Sequence, residues 1–192
     1  MRKTQLKRKT GETDISITLD LDGAGKTKIA TGIGFLDHLL TALARHAHVD
    51  LTLNCRGDLD VDDHHSAEDC ALALGAAIDK ALGDRRGVAR FGYAYAPLDD
   101  ALARAVVDLS GRPSAEVHLD LGRFDINGLA CENIGHVISS LAVAARATVH
   151  VDVLRGSNDH HRAEAAFKAL ALALRQAVAR DGTSVRSTKG VL

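Results

Sequence analysis

The stretch "GSNDHHRAEAAFKALA" (Gly156–Ala171) sets His160 beside His161, with Glu164 four residues after the first of them. "DVDDHHSAEDCALALG" (Asp60–Gly75) repeats the arrangement with His64, His65 and Glu68. On an α-helix each residue turns by about 100°, so positions i and i+4 share a face while i+1 points elsewhere. His64 with Glu68 can therefore hold one ion and His160 with Glu164 another, while His65 and His161 project towards a different ion. Two such copies facing each other complete two sites by exchange, and His38 and His136 would add a fourth protein ligand to each. Imidazole with carboxylate and no thiolate suits manganese, iron, cobalt or zinc. More than four ligands would call for an octahedral ion such as Mn²⁺, a tetrahedral set for zinc. The spacing is not the zincin HExxH.

A plainer reading lets Asp63 and Asn158–Asp159 cap helices, with the histidines exposed behind them. It suits one copy better than two in equivalent places.

The ligands need helices, and four Ala/Leu-rich segments supply them: about Gly34–His46, His65–Leu82, Glu132–Ala145 and His160–Ala179. Between them run alternations with a period of two, "ISITLDLD", "VDLTLNC", "AEVHLDL" and "TVHVDVL", with further strands over Arg90–Tyr95 and Ala103–Leu109. "DGAG", "LGDRRG", "SGRP" and "FDING" mark turns. The order helix, strand, Arg-Gly, HHxxE, long helix occurs from His38 to Leu82 and again from His136 to Val178. His38 precedes His64 by 26 residues and His136 precedes His160 by 24, the second copy being one residue longer before its Arg-Gly and three shorter after it. This is a duplicated unit. Two halves that each bury one helix face would pack their helices together, with the sheets outside.

Composition narrows the rest. Lys plus Arg (24) nearly balance Asp plus Glu (25) in 192 residues, so no global field attracts nucleic acid or a membrane. The basic start, "MRKTQLKRKT", leads into no apolar run, so no secretory signal is expected, and no segment reaches the roughly 18 apolar residues of a membrane span. Cys55, Cys70 and Cys131 form no CxxC pair and read as reduced thiols in a cytoplasmic protein. Histidine is the informative excess, at ten.

Other residues speak less clearly alone. "TGIGFLDH" (Thr31–His38) is either a turn or an anion site at a helix start. Arg90 and Arg112 are either phosphate clamps or surface arginines. The "STKGVL" end, with Ser187 and Lys189, suits phosphate capture, though tails commonly fray. His46, His48, His118 and His150 read as mostly structural, His46 being the best exception. Asp50, Asp108 and Asp152 read equally as solvent-facing alternates.

Taken in order, "GIGFLDHLL", "DHHSAEDCALALG", "RFGYAYAPLDDALARAVVDLSGRP", "ENIGHVISSLA", "NDHHRAEAAFKALA" and "STKGVL" resemble the imidazoleglycerol-phosphate dehydratase family of histidine biosynthesis, in its monofunctional form. The resemblance runs from about Gly11 to the C-terminus. It departs at Leu36, Leu39 and Ser114, where the family usually has an aromatic residue, Met and Tyr. It implies an α+β fold of two similar half-domains, with a helical bundle packed between two four-stranded mixed β-sheets. The implied single domain covers 1–192, duplicated over approximately 11–86 and 87–181, with a C-terminal substrate-binding tail.

The implied activity is a metal-dependent hydro-lyase that converts D-erythro-imidazole glycerol phosphate to imidazole acetol phosphate and water. Two Mn²⁺ ions per site are implied, although other divalent transition metals suit the donors. So is a 24-subunit homo-oligomeric shell with active sites between subunits, working in the cytoplasm. By motif, His38, His65, His160 and Glu164 resemble the ligands of one ion, and His64, Glu68, His136 and His161 those of the other. Glu12 matches the proton-moving carboxylate. Glu12, His46, Arg90, Arg112, Lys168, Ser187 and Lys189 match substrate-contacting positions. Two other classes could use the same histidines. A dinuclear metallohydrolase would not recognise a triazole-bearing phosphonate, and a metal-held non-catalytic shell would bind manganese without turnover.

Overall fold

A computed structural model describes residues 2–190 and 192. Each half repeats one order of elements. The first has β1 (Lys3–Lys9), β2 (Thr13–Asp20), β3 (Thr27–Ala30), α1 (Gly34–Ala47), β4 (Asp50–Gly57) and α2 (His64–Leu82). The second has β5 (Phe91–Leu98), β6 (Ala101–Asp108), β7 (Ser114–His118), then a small hairpin, β8 (Asp125–Ile126) and β9 (Leu129–Ala130), followed by α3 (Cys131–Ala144), β10 (Thr148–Arg155) and α4 (Asp159–Ala177). The strand orders are β1-β2-β4-β3 and β5-β6-β10-β7. In each sheet the first two pairings are antiparallel and the last is parallel. The fold is therefore α+β with two similar halves.

Alternation decides which face each strand buries. Ile15, Ile17 and Leu19 on β2 are at most 2% exposed, while Asp14, Ser16 and Thr18 between them face outward or sideways. The helices fill the space between the sheets and pair across the halves, α1 with α4 and α2 with α3. A candidate ligand on one half is thereby carried to candidate ligands on the other. Gly75 permits the α2–α3 crossing, since a Cβ there would lie 2.5 Å from the Leu141 carbonyl oxygen. No described helix is long and apolar enough to cross a membrane, and all three cysteines are free thiols.

The four helices fall where the sequence places them, within two residues at each end. The short β8–β9 hairpin falls where the sequence reads a turn, and within the two four-stranded sheets β1 and β3 have no counterpart in the sequence reading; both are edges of the first sheet. An edge strand carrying charge discourages pairing with a stranger. On β1, Lys3, Gln5, Lys7 and Lys9 face outward and only Thr4 is buried, so no apolar alternation announces it.

The capping expectation divides. Asn158 caps α4, accepting from the backbone N–H of His160 (2.9 Å) and His161 (3.4 Å). Asp63 makes no cap bond on α2. Its carboxylate accepts instead from Ala130 N (2.8 Å) and Asn133 Nδ2 (3.0 Å), while Asp159 accepts from Gly122 N (3.0 Å) and Arg123 N (2.7 Å). The aspartates ahead of both HH pairs thus fasten the segment that leads into α3.

Candidate metal centre

The α1–α4 crossing builds one group. His38 Nε2 lies 2.9 Å from Glu164 Oε2, and His160 Nε2 lies 3.3 Å from the same oxygen. Phe35 packs on both rings, 5.9 Å from His38 and 5.0 Å from His160 between centroids. Burial opposes ionisation of Glu164, but hydrogen bonds from Lys168, at 2.7 Å, and from His38 outweigh it and hold the carboxyl at about 2. The group therefore presents a carboxylate, and Lys168 fixes its outer oxygen.

The α2–α3 crossing builds the other. His136 Nε2 lies 3.1 Å from Glu68 Oε1, His64 Nε2 lies 4.0 Å from Glu68 Oε2, and the two rings stack at 5.1 Å. His64 turns its Nδ1 to the side-chain oxygen of Asn133, 2.9 Å away, and Asn133 is itself held by Asp63. An amide oxygen only accepts, so Nδ1 carries the hydrogen and Nε2 keeps its lone pair.

Among the described residues, the donor atoms of each trio, His38–His160–Glu164 and His64–Glu68–His136, lie within 4.8 Å of one another. Two imidazoles and a carboxylate, with coordination positions left open, fit a divalent ion of the manganese-to-zinc series.

His65 and His161 join neither trio. His65 turns Nδ1 to Asp58 Oδ2 (2.9 Å) and holds Nε2 3.6 Å from Glu12. His161 turns Nδ1 to Asp100 Oδ1 (2.7 Å) and holds Nε2 3.7 Å from Asp99. Glu12 rides the β1–β2 turn. Thr10 Oγ1 accepts from Glu12 N and Thr13 N at 3.1 and 3.0 Å, and Thr13 donates to the buried Asp69 of α2 at 2.5 Å. Arg8 pairs with the same aspartate. The turn is thus pinned beside His65.

The remaining substrate-matched residues gather elsewhere. Arg90 is held by Asp108 at 2.7 and 3.1 Å and donates to the Arg186 carbonyl at 2.6 Å. This brings the tail carrying Ser187 and Lys189 to it. Arg112 lies on the same margin, its carbonyl accepting from Thr148 at 3.2 Å, and Thr148 pairs with Asp108 across β10 and β6. Arg90 N also donates to Ala177 O at the C-terminal end of α4, whereas Asp100 meets His161 at its N-terminal end. At a rise of 1.5 Å per residue, the 19 residues of α4 separate these ends by about 27 Å. His46 lies on the last turn of α1, where burial first and Lys168 second lower its pKa.

Sequence reasoning missed Asp58, Asp100 and Asn133, which orient ring nitrogens. It left open whether Asp108 and Asp152 do more than face solvent, and they clamp Arg90 and Arg104. Asp50 likewise accepts from Ala24 N and Lys26 N at 2.8 and 2.9 Å. Leu36 and Leu39 are fully buried in α1, and Ser114 is exposed at the start of β7.

A family model described as imidazoleglycerol-phosphate dehydratase matches residues 31–174. The enzyme of that name from Phytophthora nicotianae is 60% identical over all of this chain, which spans only 43% of that relative's length. The one from Chlorobium luteolum is 53% identical, covering 100% of this chain and 96% of the relative. The crystal structure of imidazoleglycerol-phosphate dehydratase from Staphylococcus aureus superposes with a TM-score of 0.84 at 33% identity, covering 93% of this chain and 99% of that one. The Pyrococcus furiosus structure does so at 0.84 and 39%, covering 97% and 100%. With both trios in place on a fold shared with these structures, the chain belongs to the imidazoleglycerol-phosphate dehydratase family of hydro-lyases.

Proposed function

We propose that this chain dehydrates D-erythro-imidazole glycerol phosphate to imidazole acetol phosphate in histidine biosynthesis, in the cytoplasm, at a dinuclear manganese site completed between the subunits of a 24-subunit shell. The observation that carries the reading is the pair of two-histidine, one-glutamate trios, each spanning a helix crossing between the halves. His38, His160 and Glu164 would hold one ion and His64, Glu68 and His136 the other. Bound there, divalent ions supply Lewis acidity and a template for the imidazole ring of the substrate.

The chain's own residues supply the rest. Glu12 is the carboxylate that moves the proton: it stands beside His65 and belongs to neither trio. Arg90, Arg112, Ser187 and Lys189 grip the phosphate, and a grip far from the reacting carbon orients the substrate. Lys168 holds Glu164 in its ionised form, and His46 lines the approach on α1. The length of α4 supports sites built between copies, because one chain keeps its anion-binding margin and its His161 at opposite ends of that helix. The free Nε2 atoms of His65 and His161 would then complete the trios of neighbouring copies.

The test is metal analysis of the purified protein followed by an assay on imidazole glycerol phosphate. The reading expects about two manganese ions per chain, one for each trio, and release of the acetol product. Stoichiometric metal without turnover would favour a structural role for the ions and sink the proposal.

A further inference from the structure

His65 and His161 perform a matched task with unmatched partners. The residue after Arg56–Gly57 is Asp58, which accepts from His65 Nδ1 at 2.9 Å. The residue after Arg155–Gly156, in the equivalent place, is Ser157, and a serine at that position makes no bond to His161. The second half brings an aspartate from another direction. Asp100, at the turn of the β5–β6 hairpin, reaches His161 Nδ1 at 2.7 Å. Ser157 now serves that aspartate, donating to it from N (2.6 Å) and Oγ (2.9 Å), with Asn158 N adding a third bond at 3.3 Å.

A duplication copies positions. Here the position changed and the outcome did not: in both halves a carboxylate sits on Nδ1, and among the described residues Nε2 has no carboxylate nearer than 3.6 Å. A carboxylate accepts, so Nδ1 donates, and the neutral ring keeps its lone pair on Nε2. Metal-ligating histidines commonly show this outer hydrogen bond, which fixes tautomer and ring plane. The Asp58 side chain makes no other hydrogen bond among the described residues. Its Oδ1 is buried and unpaired, so holding His65 is the one contact that accounts for its place.

We propose that Asp58 and Asp100 are positioning residues that present the Nε2 atoms of His65 and His161 as ready donors to divalent cations. The inference rests on the reading that these histidines complete the trios of neighbouring copies. The two aspartates act through their histidines and touch neither ion nor substrate.

Manganese titration of the metal-stripped, assembled protein, without substrate, tests the idea. Asp58→Ala should weaken one class of bound manganese by about 10- to 100-fold and leave the other class unchanged. Asp58→Asn keeps an oxygen that accepts from Nδ1 and should recover most of the loss. Asp100→Ala should weaken the other class by a similar factor, and carries the test if Asp58→Ala does not assemble. His65→Ala is the control. If it weakens manganese binding while Asp58→Ala and Asp100→Ala bind as the parent does, the positioning role is overturned and the metal reading stands. If His65→Ala also binds as the parent does, the metal reading itself fails and takes this inference with it.

Discussion

The first sheet turns Ile15, Ile17, Leu19, Leu51 and Leu53 towards the helices, whereas the second turns Ala94, Ala96, Ala101, Ala103 and Ala105 with the smaller branched Val107, Val149 and Val151, all of them buried. Small residues let α4 settle onto its sheet so closely that a Cβ on Gly92 would lie 1.9 Å from the Ala173 carbonyl oxygen. The helices reverse the contrast. At equivalent places, α2 has Gly75 against α3 and α4 has the buried Ala171. The hairpins differ as well. Asp100 accepts four hydrogen bonds, that from Ser157 N foremost, which pull its pKa well below the usual carboxylate range. The Glu12 carboxylate accepts none among the described residues. Two halves with one topology therefore hold like-placed trios through unlike packing. The ligand spacing on the helices is kept, and the rest has been free to diverge.

The sharpest way to test that division is at the hairpins. A carboxylate fully engaged in hydrogen bonds is a poor proton carrier, and a free one is not. Glu12→Gln should cut turnover by about 10²-fold or more while leaving manganese content unchanged. Near-normal turnover in that variant would remove Glu12 from the chemistry.

Next in size is the helix crossing. Gly75→Ala gains helix propensity but overpacks the α2–α3 contact, so a net loss of about 1–3 kcal/mol is expected. The reverse change in the other half, Ala171→Gly, should cost about 1 kcal/mol. Unfolding of both metal-stripped variants at matched concentration checks the pair, and a more stable Gly75→Ala protein would contradict the close approach.

Asn158→Ala removes a side-chain cap that α2 lacks, and should cost about 1 kcal/mol. An unchanged midpoint would mean that water replaces the cap without loss.

The smallest effect concerns Asp22, which ties the end of β2 to Arg2 and Arg180. The Arg2 hydrogen bond lowers its pKa from 3.8 to about 2. A depressed folded-state pKa adds stability that is present above the unfolded value of 3.8 and is lost as the pH falls towards about 2. The pair is partly exposed, so solvent screening keeps the contribution below about 1 kcal/mol. Asp22→Asn should flatten that part of the acid limb, and an identical limb would assign the acid sensitivity to other carboxylates.

Much of this was legible in the sequence because it rides on helices. Length and Ala/Leu content announce α1 to α4, and fixed spacing along a helix places His64 with Glu68 and His160 with Glu164. Equivalence of the repeats singles out His38 and His136. What escaped lies where no period exists. Asp58 and Asp100 reach their histidines from loops, and nothing in "RGDLD" or "LDDAL" distinguishes an orienting carboxylate from a solvated one. The Asp63 carboxylate crosses to the other half, a contact that only tertiary structure creates. β1 escaped because charge, the feature that keeps an edge unpaired, erases the alternation that marks a strand, and β3 because four residues are too few to show one.

The span of α4 carries a genetic consequence. If each site draws its histidines and its arginines from different copies, a lesion at His160, at the N-terminal end of α4, and a lesion at Arg90, beside its C-terminal end, disable different contributions to a shared site. Two such mutant genes expressed together would assemble some sites entirely from sound parts, so His160→Ala and Arg90→Ala chains, each inactive alone, should regain activity when co-expressed. The measurement is growth without histidine in a cell that lacks its own dehydratase. Failure to grow despite proven co-assembly would place both contributions in one chain, against the separation that about 27 Å of helix imposes.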